Sequence, residues 1–113
     1  GRQIMRINIA NDFSKTPGGR FVTEGAYSGQ EFREKILSPR YNEAIEKNEK
    51  LEINFDGCFG YATSFLEESF GGLVRERKEK GVLRHMKFIS NDDMTVPKLI
   101  AKYVQNAENE LKD

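Results

Sequence analysis

Two adjacent hydroxyls, Thr63 and Ser64, lie midway along the run LEINFDGCFGYATSFLEESFGGL at residues 51–73. An alternating strand ends at Asp56 in this run and a helix starts at Ser64, so the serine stands beside backbone N–H groups that have no helical acceptor. A phosphate placed there is stabilised by those groups and by the helix dipole, which makes Ser64, and Thr63 beside it, candidate phosphorylation sites. The same serine opens a Ser64-x-x-Glu67 capping box, a purely structural use of the hydroxyl. Glu67 and Glu68 would repel a phosphate, so the modification would act as a disruptive charge on a docking surface.

Other residues offer weaker chemistry. Asp56-Gly57 is a turn dipeptide, while a carboxylate at a strand's carboxyl end could also join a neighbour in holding a metal. Phe59, Tyr61 and Ser64 are the candidate partner-binding residues of an unusually apolar loop, with Phe59 expected towards the core and Tyr61 towards the surface. Thr16-Pro17-Gly18-Gly19-Arg20 could cradle an anion with the N–H groups of Gly18 and Gly19 and the Arg20 guanidinium, but it lacks P-loop spacing and also reads as a plain turn. His85 is the sole histidine, and neither a nucleophile-base triad nor a zinc spacing can be assembled around it. No catalytic residue, metal or cofactor is expected.

Composition bounds the reading. The 113 residues suit one domain, 1–113, able to bury a core without disulfide or metal. Eighteen basic and eighteen acidic side chains cancel, which argues against nucleic acid as partner. The basic residues from Arg75 to Lys87 are interleaved with Glu76 and Glu79 and read as a solvated helix end. A single cysteine, Cys58, fits a reducing compartment, and no apolar run approaches the roughly 20 residues that span a bilayer. A cytoplasmic protein without membrane attachment is expected.

The elements that must position these groups follow from periodicity. Gln3 to Ala10 and Leu51 to Phe55 alternate apolar and polar residues, as half-buried strands do. FSKTPGGR, residues 13–20, reads as a long loop leading to a second strand at Phe21 and Val22, making a hairpin with the first. Ser28 and Glu31 form a capping box for a helix through Lys47, kinked at Pro39. A helix from Ser64 to Lys80 holds Gly71 and Gly72 mid-length, which predicts close approach to another element, and Gly81 is expected to end it. Leu83 to Ile89 reads as an edge strand, and Val96 to Leu111 as a helix with Asp92 or Asp93 at its cap. Right-handed crossovers place the Leu51 strand parallel to the first, with the last strand beyond it. The fold expected is α/β, a mixed sheet of about four strands with helices packed on one face.

FDGCFGYATSFLEESFGGLVRE, together with FSKTPGGRF and SGQEFREKILSP, resembles the STAS-like domain family of unknown function, bacterial relatives of the sulphate transporter and anti-sigma-factor antagonist (STAS) domains. The resemblance runs from about Ile7 to Arg77. It implies a noncatalytic regulatory protein-interaction module, resembling anti-sigma-factor antagonists, whose helix-start serine is phosphorylated by a partner kinase. Ser64 falls at that place, although Ala62-Thr63-Ser64-Phe65-Leu66 stands where the antagonists read Asp-Ser-Ser-Gly-Leu. The implied partner is a histidine-kinase-like ATPase or an anti-sigma-factor-like kinase. A nucleotide- or phosphate-binding domain using Gly18, Gly19, Arg20 and the Ser64 helix start is the alternative, and a homo-oligomer built through a sheet edge or the apolar loop is a third possibility.

Overall fold

Alternation becomes a sheet of three short strands, β1 (Met5–Asn8), β2 (Leu51–Asn54) and β3 (Met86–Ile89), in a computed structural model that describes residues 4–111. Gln3, expected in the first strand, lies outside the described residues. The strands lie in the order β1-β2-β3, both pairings parallel, with Met5 opposite Leu51 and Leu51 opposite Met86. Ile7, Leu51, Ile53 and Met86 are buried on one face. On the other face Arg6, Glu52 and Lys87 share a register, and Arg6 Nε donates to Glu52 Oε2 at 3.1 Å. All-parallel sheets are usually covered on both faces. Here Arg6 and Lys87 are exposed and Glu52 is half-buried, which leaves the second face half-open.

The expected hairpin does not form. Among the described residues the sheet has three strands, all parallel, and is neither four-stranded nor mixed. Phe21 and Val22, exposed at 45% and 49%, lead into a 3-10 turn at Val22–Glu24. Its donors go to side chains and not to a ladder: the Arg20 and Phe21 N–H groups donate to Glu24 Oε1 at 3.2 and 2.8 Å, and the Val22 N–H to Gln30 Oε1 at 3.1 Å. A short helix α1 (Ile9–Asp12), capped by Asn8, turns the chain away from the sheet instead.

Two long helices each contain a π-helical turn. The first comprises α2 (Gly29–Phe32), a π turn (Arg33–Leu37) and α3 (Ser38–Glu46), which run on without a break. Ser28 caps it through Glu31 N–H, as expected, while the Glu31 carboxylate reaches Lys35 at 3.6 Å instead of closing the box. Buried Phe32 and Leu37 are five residues apart, one more than an α-turn brings to the same face, and the wider turn reconciles that step with the core. It also precedes Pro39, whose ring clashes with the carbonyl four residues back in an ordinary helix. The second helix comprises α4 (Thr63–Leu66), a π turn (Glu67–Gly71) and α5 (Gly72–Arg77), with the same step of five from Phe65 to Phe70.

The glycines show how closely these helices meet. A Cβ on Gly29 would lie 2.6 Å from the Phe65 carbonyl oxygen, and one on Gly72 would lie 2.9 Å from Arg33 Nε. The close approach expected of Gly72 is therefore present. The helix does not end at Gly81: Lys78 takes the left-handed conformation, φ 56°, and its N–H returns to Val74 O. Gly81, φ 90°, instead starts a 3-10 turn (Val82–His85), so the strand expected from Leu83 begins at Met86. α6 (Val96–Asn109) buries Val96, Ile100, Val104 and Ala107, with Pro97 tolerated in its first turn. Asp93 accepts from the Thr95 N–H just ahead of it, and Thr95 occupies the cap. No helix among the described residues is long and apolar enough to cross a membrane.

Candidate functional site

Ligand sites of open α/β sheets gather where parallel strands end and their loops diverge. At that end Asp56 stands two residues beyond β2. Its carboxylate accepts from the Asp92 N–H at 2.8 Å and from Asn91 Nδ2 at 3.0 Å, and the Asp92 carboxylate accepts from the Gly57 N–H at 3.0 Å. The loops after β2 and β3 thus clasp each other reciprocally. The Asp92 N–H holds the Asp56 carboxyl below the usual range, burial opposing and Asn91 assisting. Asp56 plays the turn role foreseen from its sequence, extended to a second loop. Among the described residues no three His, Cys, Asp or Glu side chains are placed to hold a metal ion.

The apolar loop is fastened at successive points. The Phe59 N–H donates to Lys15 O at 2.9 Å, and Cys58 Sγ lies 3.4 Å from Ser14 O. Tyr61 donates its hydroxyl to Phe55 O at 2.7 Å, and its ring meets Phe55 edge-on at 5.5 Å. Phe59 is 87% exposed. The expected orientations of the two aromatics are therefore reversed. Tyr61 turns inward because its hydroxyl finds a main-chain acceptor there, and the Phe59 ring is left in solvent. Burial pushes the Tyr61 hydroxyl well above its ordinary range, with Cys58 and the charges of Asp56 and Asp92 adding to the effect. Burial likewise raises the Cys58 thiol, against the opposing hydrogen bond from Tyr61. The sulfur is a packed thiol and not a thiolate nucleophile.

Ser64 does not cap its helix. The cap position is Ala62, without a side-chain hydrogen bond, and Thr63 is the first helical residue. Thr63 is exposed, Ser64 half-buried, and neither hydroxyl bonds to a described residue. With Ser64 inside the helix no capping box forms, and Glu67 is held by guanidinium groups instead: Arg75 donates to it at 2.7 and 3.1 Å, and Arg20 donates to its Oε1. Burial alone would raise the Glu67 carboxyl, but these bonds win and hold it below the usual range. Glu68 pairs with Arg33 at 3.1 Å and lies 3.6 Å from Arg20, joining the π turns of the two helices.

That pairing removes the anion cradle expected at Gly18, Gly19 and Arg20. The Arg20 guanidinium is committed to Glu67 and Glu68, and the Gly18 N–H donates to Tyr27 O at 2.7 Å. Gly18 serves close packing, since a Cβ there would stand 2.5 Å from Ala26 O. His85 lies at the opposite end of the strands with its ring edge-on to Tyr41 at 6.1 Å.

Between the two clasped loops opens a cleft of about 300 Å³, with Cys58, Phe59 and Tyr61 on one side and Ser90, Asp92 and Asp93 on the other. It unites two predicted partner-binding residues, Phe59 and Tyr61, and leaves out Ser64, Thr63 and the glycine loop. Asp92 and Ser90 were not foreseen as site residues. The available signal was the dipeptide Asp92-Asp93 placed shortly after a strand, as Asp56-Gly57 is.

No curated protein and no solved structure matches the chain. A family model described as a STAS-like domain of unknown function matches residues 28–96, from the Ser28 cap through β2, the apolar loop, both π turns and β3 to the first residue of α6. With more than half of its length matched, the chain belongs to this family of STAS-like domains.

Proposed function

We propose that this domain is a noncatalytic regulatory module that recognises a protein partner through the loop between β2 and α4, in the manner of anti-sigma-factor antagonists. The observation that carries the reading is Phe59, 87% exposed on a loop held by the Gly57 and Phe59 N–H groups and by the Tyr61 hydroxyl. Burying a phenylalanine is worth about 1.5–3 kcal/mol, which remains available to a partner. A fastened loop loses little further freedom on binding, so more of that energy appears as affinity. A histidine-kinase-like ATPase or anti-sigma-factor-like kinase in the cytoplasm is the partner that family analogy supplies.

Regulation by phosphorylation fits the same region. The hydroxyls of Thr63 and Ser64 are unpartnered at a helix start, and the repulsion expected from Glu67 and Glu68 is offset by Arg20, Arg33 and Arg75. The test is affinity capture from native cytosol on wild type, Phe59→Ala and Ser64→Glu, with bound proteins identified by mass and the domain itself checked for added phosphate. A partner retained by wild type and lost from Phe59→Ala is the expected result. Equal retention by both removes the loop from the reading, and an unmodified domain recovered in complex with a kinase removes the phosphorylation.

A further inference from the structure

The cleft beside Phe59 carries charge that the protein leaves uncompensated. Arg6, Arg20, Arg33, Arg75 and Arg77 all pair with glutamates elsewhere. Asp56, Asp92 and Asp93 form no ion pair with a described residue, although all three stand at the carboxyl ends of the strands. Lys15, whose carbonyl holds Phe59, does not line the cleft.

The acidic groups are also aimed. Asp92 uses Oδ2 for the Gly57 N–H, and Asp93 uses Oδ1 for both the N–H and the hydroxyl of Thr95. Asp92 Oδ1 and Asp93 Oδ2 are left without a donor among the described residues. These fixed bonds hold each side chain in place, so a ligand need not order it. Facing the carboxylates are the exposed ring of Phe59 and the ring of Tyr61, with Phe55 behind. The Tyr61 hydroxyl and the Cys58 thiol both feel the negative charge of Asp92 and stay protonated, so neither supplies an anion or a base for chemistry in the cleft.

A cavity of about 300 Å³ is at the lower limit of ligand sites, small for a nucleotide. Aromatic faces attract cations, and a planar guanidinium both stacks on a ring and bonds carboxylates, which an ammonium does less well. We propose that the cleft is the socket for an arginine side chain projected by the protein partner. This rests on the reading of the loop as a docking surface and adds to it the chemistry of what is docked: Phe59 covers the aliphatic stem and stacks on the guanidinium, while Asp92 and Asp93 receive its N–H groups.

The test is an NMR titration of the amide-labelled domain, at low and at high salt, with a capped pentapeptide carrying one central arginine among alanines. Matched peptides carry citrulline or lysine instead, and free arginine is a further probe. Arginine-peptide shifts confined to residues 57–61 and 90–93, absent with citrulline and weakened by salt, are expected. Asp92→Asn with Asp93→Asn, which keeps an oxygen for the Gly57 and Thr95 bonds, is expected to weaken binding about tenfold. Thermal unfolding of that variant confirms that it is folded. No shifts at millimolar peptide, equal binding of the citrulline peptide, or full affinity in the double variant overturns the socket. Stronger binding of the lysine peptide overturns the choice of arginine, and equal affinity of free arginine overturns the choice of a protein source. A captured partner that depends on Phe59 but binds the double asparagine variant normally overturns this inference alone, whereas a partner indifferent to Phe59 overturns the docking loop itself.

Discussion

Gly29→Ala probes a tight contact between the main chains of the two long helices. Gly29 is the first residue of α2, buried, and its backbone is not in the left-handed region. On helical propensity alone alanine would stabilise this position by about 0.5–1 kcal/mol. The added Cβ, however, would meet the Phe65 carbonyl oxygen at 2.6 Å, Glu68 Cβ at 3.1 Å and Phe65 Cα at 3.2 Å. Carbon to oxygen contacts settle near about 3.3–3.6 Å, so one helix must retreat by roughly 0.7 Å or more. The obstacle is main chain and cannot swing aside as a flexible side chain would. The retreat also stretches the Ser69 hydroxyl's bond to Gly29 O, already 3.4 Å, and parts the Phe32 and Phe65 rings, whose centroids are 5.7 Å apart. Overpacking of this kind costs about 1–3 kcal/mol. Set against the propensity gain, the net loss is about 1 kcal/mol, a fall in Tm of about 4 °C for a domain of this size. Thermal unfolding followed by circular dichroism measures it, with Gly19→Ala as control because the nearest atom to its added Cβ is 3.7 Å away. A Gly29→Ala protein that melts at or above the wild-type temperature would refute the reasoning.

Other consequences are equally accessible. Tyr61→Phe removes the donor to Phe55 O and is expected to cost about 1 kcal/mol, read as a lower urea midpoint. Lys78→Gly relieves the left-handed φ of 56° and is expected to stabilise by about 0.5–1 kcal/mol in the same assay. The Glu67 carboxyl is held below its ordinary value by Arg75 and Arg20 against the pull of burial, so its pairs stabilise the fold above the unfolded carboxyl's pKa and fail as pH falls through the folded one. Glu67→Gln should therefore lower the urea midpoint clearly at about pH 7 and by much less at about pH 3. Asp56→Ala opens the clasp between the loops and should accelerate amide hydrogen exchange at Gly57 and Asp92, with β2 amides unchanged.

Strands and helices were legible where one residue's environment depends on its near neighbours. Met5-Ile7 and Leu51-Ile53 each give a strand face, Ser28 gives a cap, and the stripe from Val96 to Ala107 gives a helix, whereas Ile9 and Ala10, also expected in the first strand, belong to α1. The parallel order followed from chain handedness, and the one-sided packing from the polar alternates. What was not legible depends on partners far along the chain. The helix starts at Thr63 and not after Ser64, so Ser64 is inside it and Glu67 is free to pair with Arg20, 47 residues away. Phe59 and Tyr61 have similar hydrophobic claims on the core, and the choice between them is made by a carbonyl that only the folded loop presents. Phe21 and Val22 look extended, but the Phe21 N–H is taken by Glu24 and the Val22 N–H by Gln30, so no ladder forms. The π turns left a trace in the five-residue steps from Phe32 to Leu37 and from Phe65 to Phe70, which an ordinary helical template passes over. Half of the candidate cleft, the loop after β2, was found from sequence. The other half required knowing that the loop after β3 arrives beside it.

The row Arg6, Glu52, Lys87 across the uncovered face has a bearing on how copies of this domain avoid one another. Both outer strands present a cation at that level, with the single anion held on the central strand. A second copy that set its β1 beside β3 in parallel register would bring Arg6 against Lys87 and extend the sheet at the expense of like charges. The β1 edge is obstructed further by Arg40, which reaches round to donate to Arg6 O at 3.3 Å. A parallel three-stranded sheet has two edge strands, and the charged side chains placed on both work against its use as a template for fibrils.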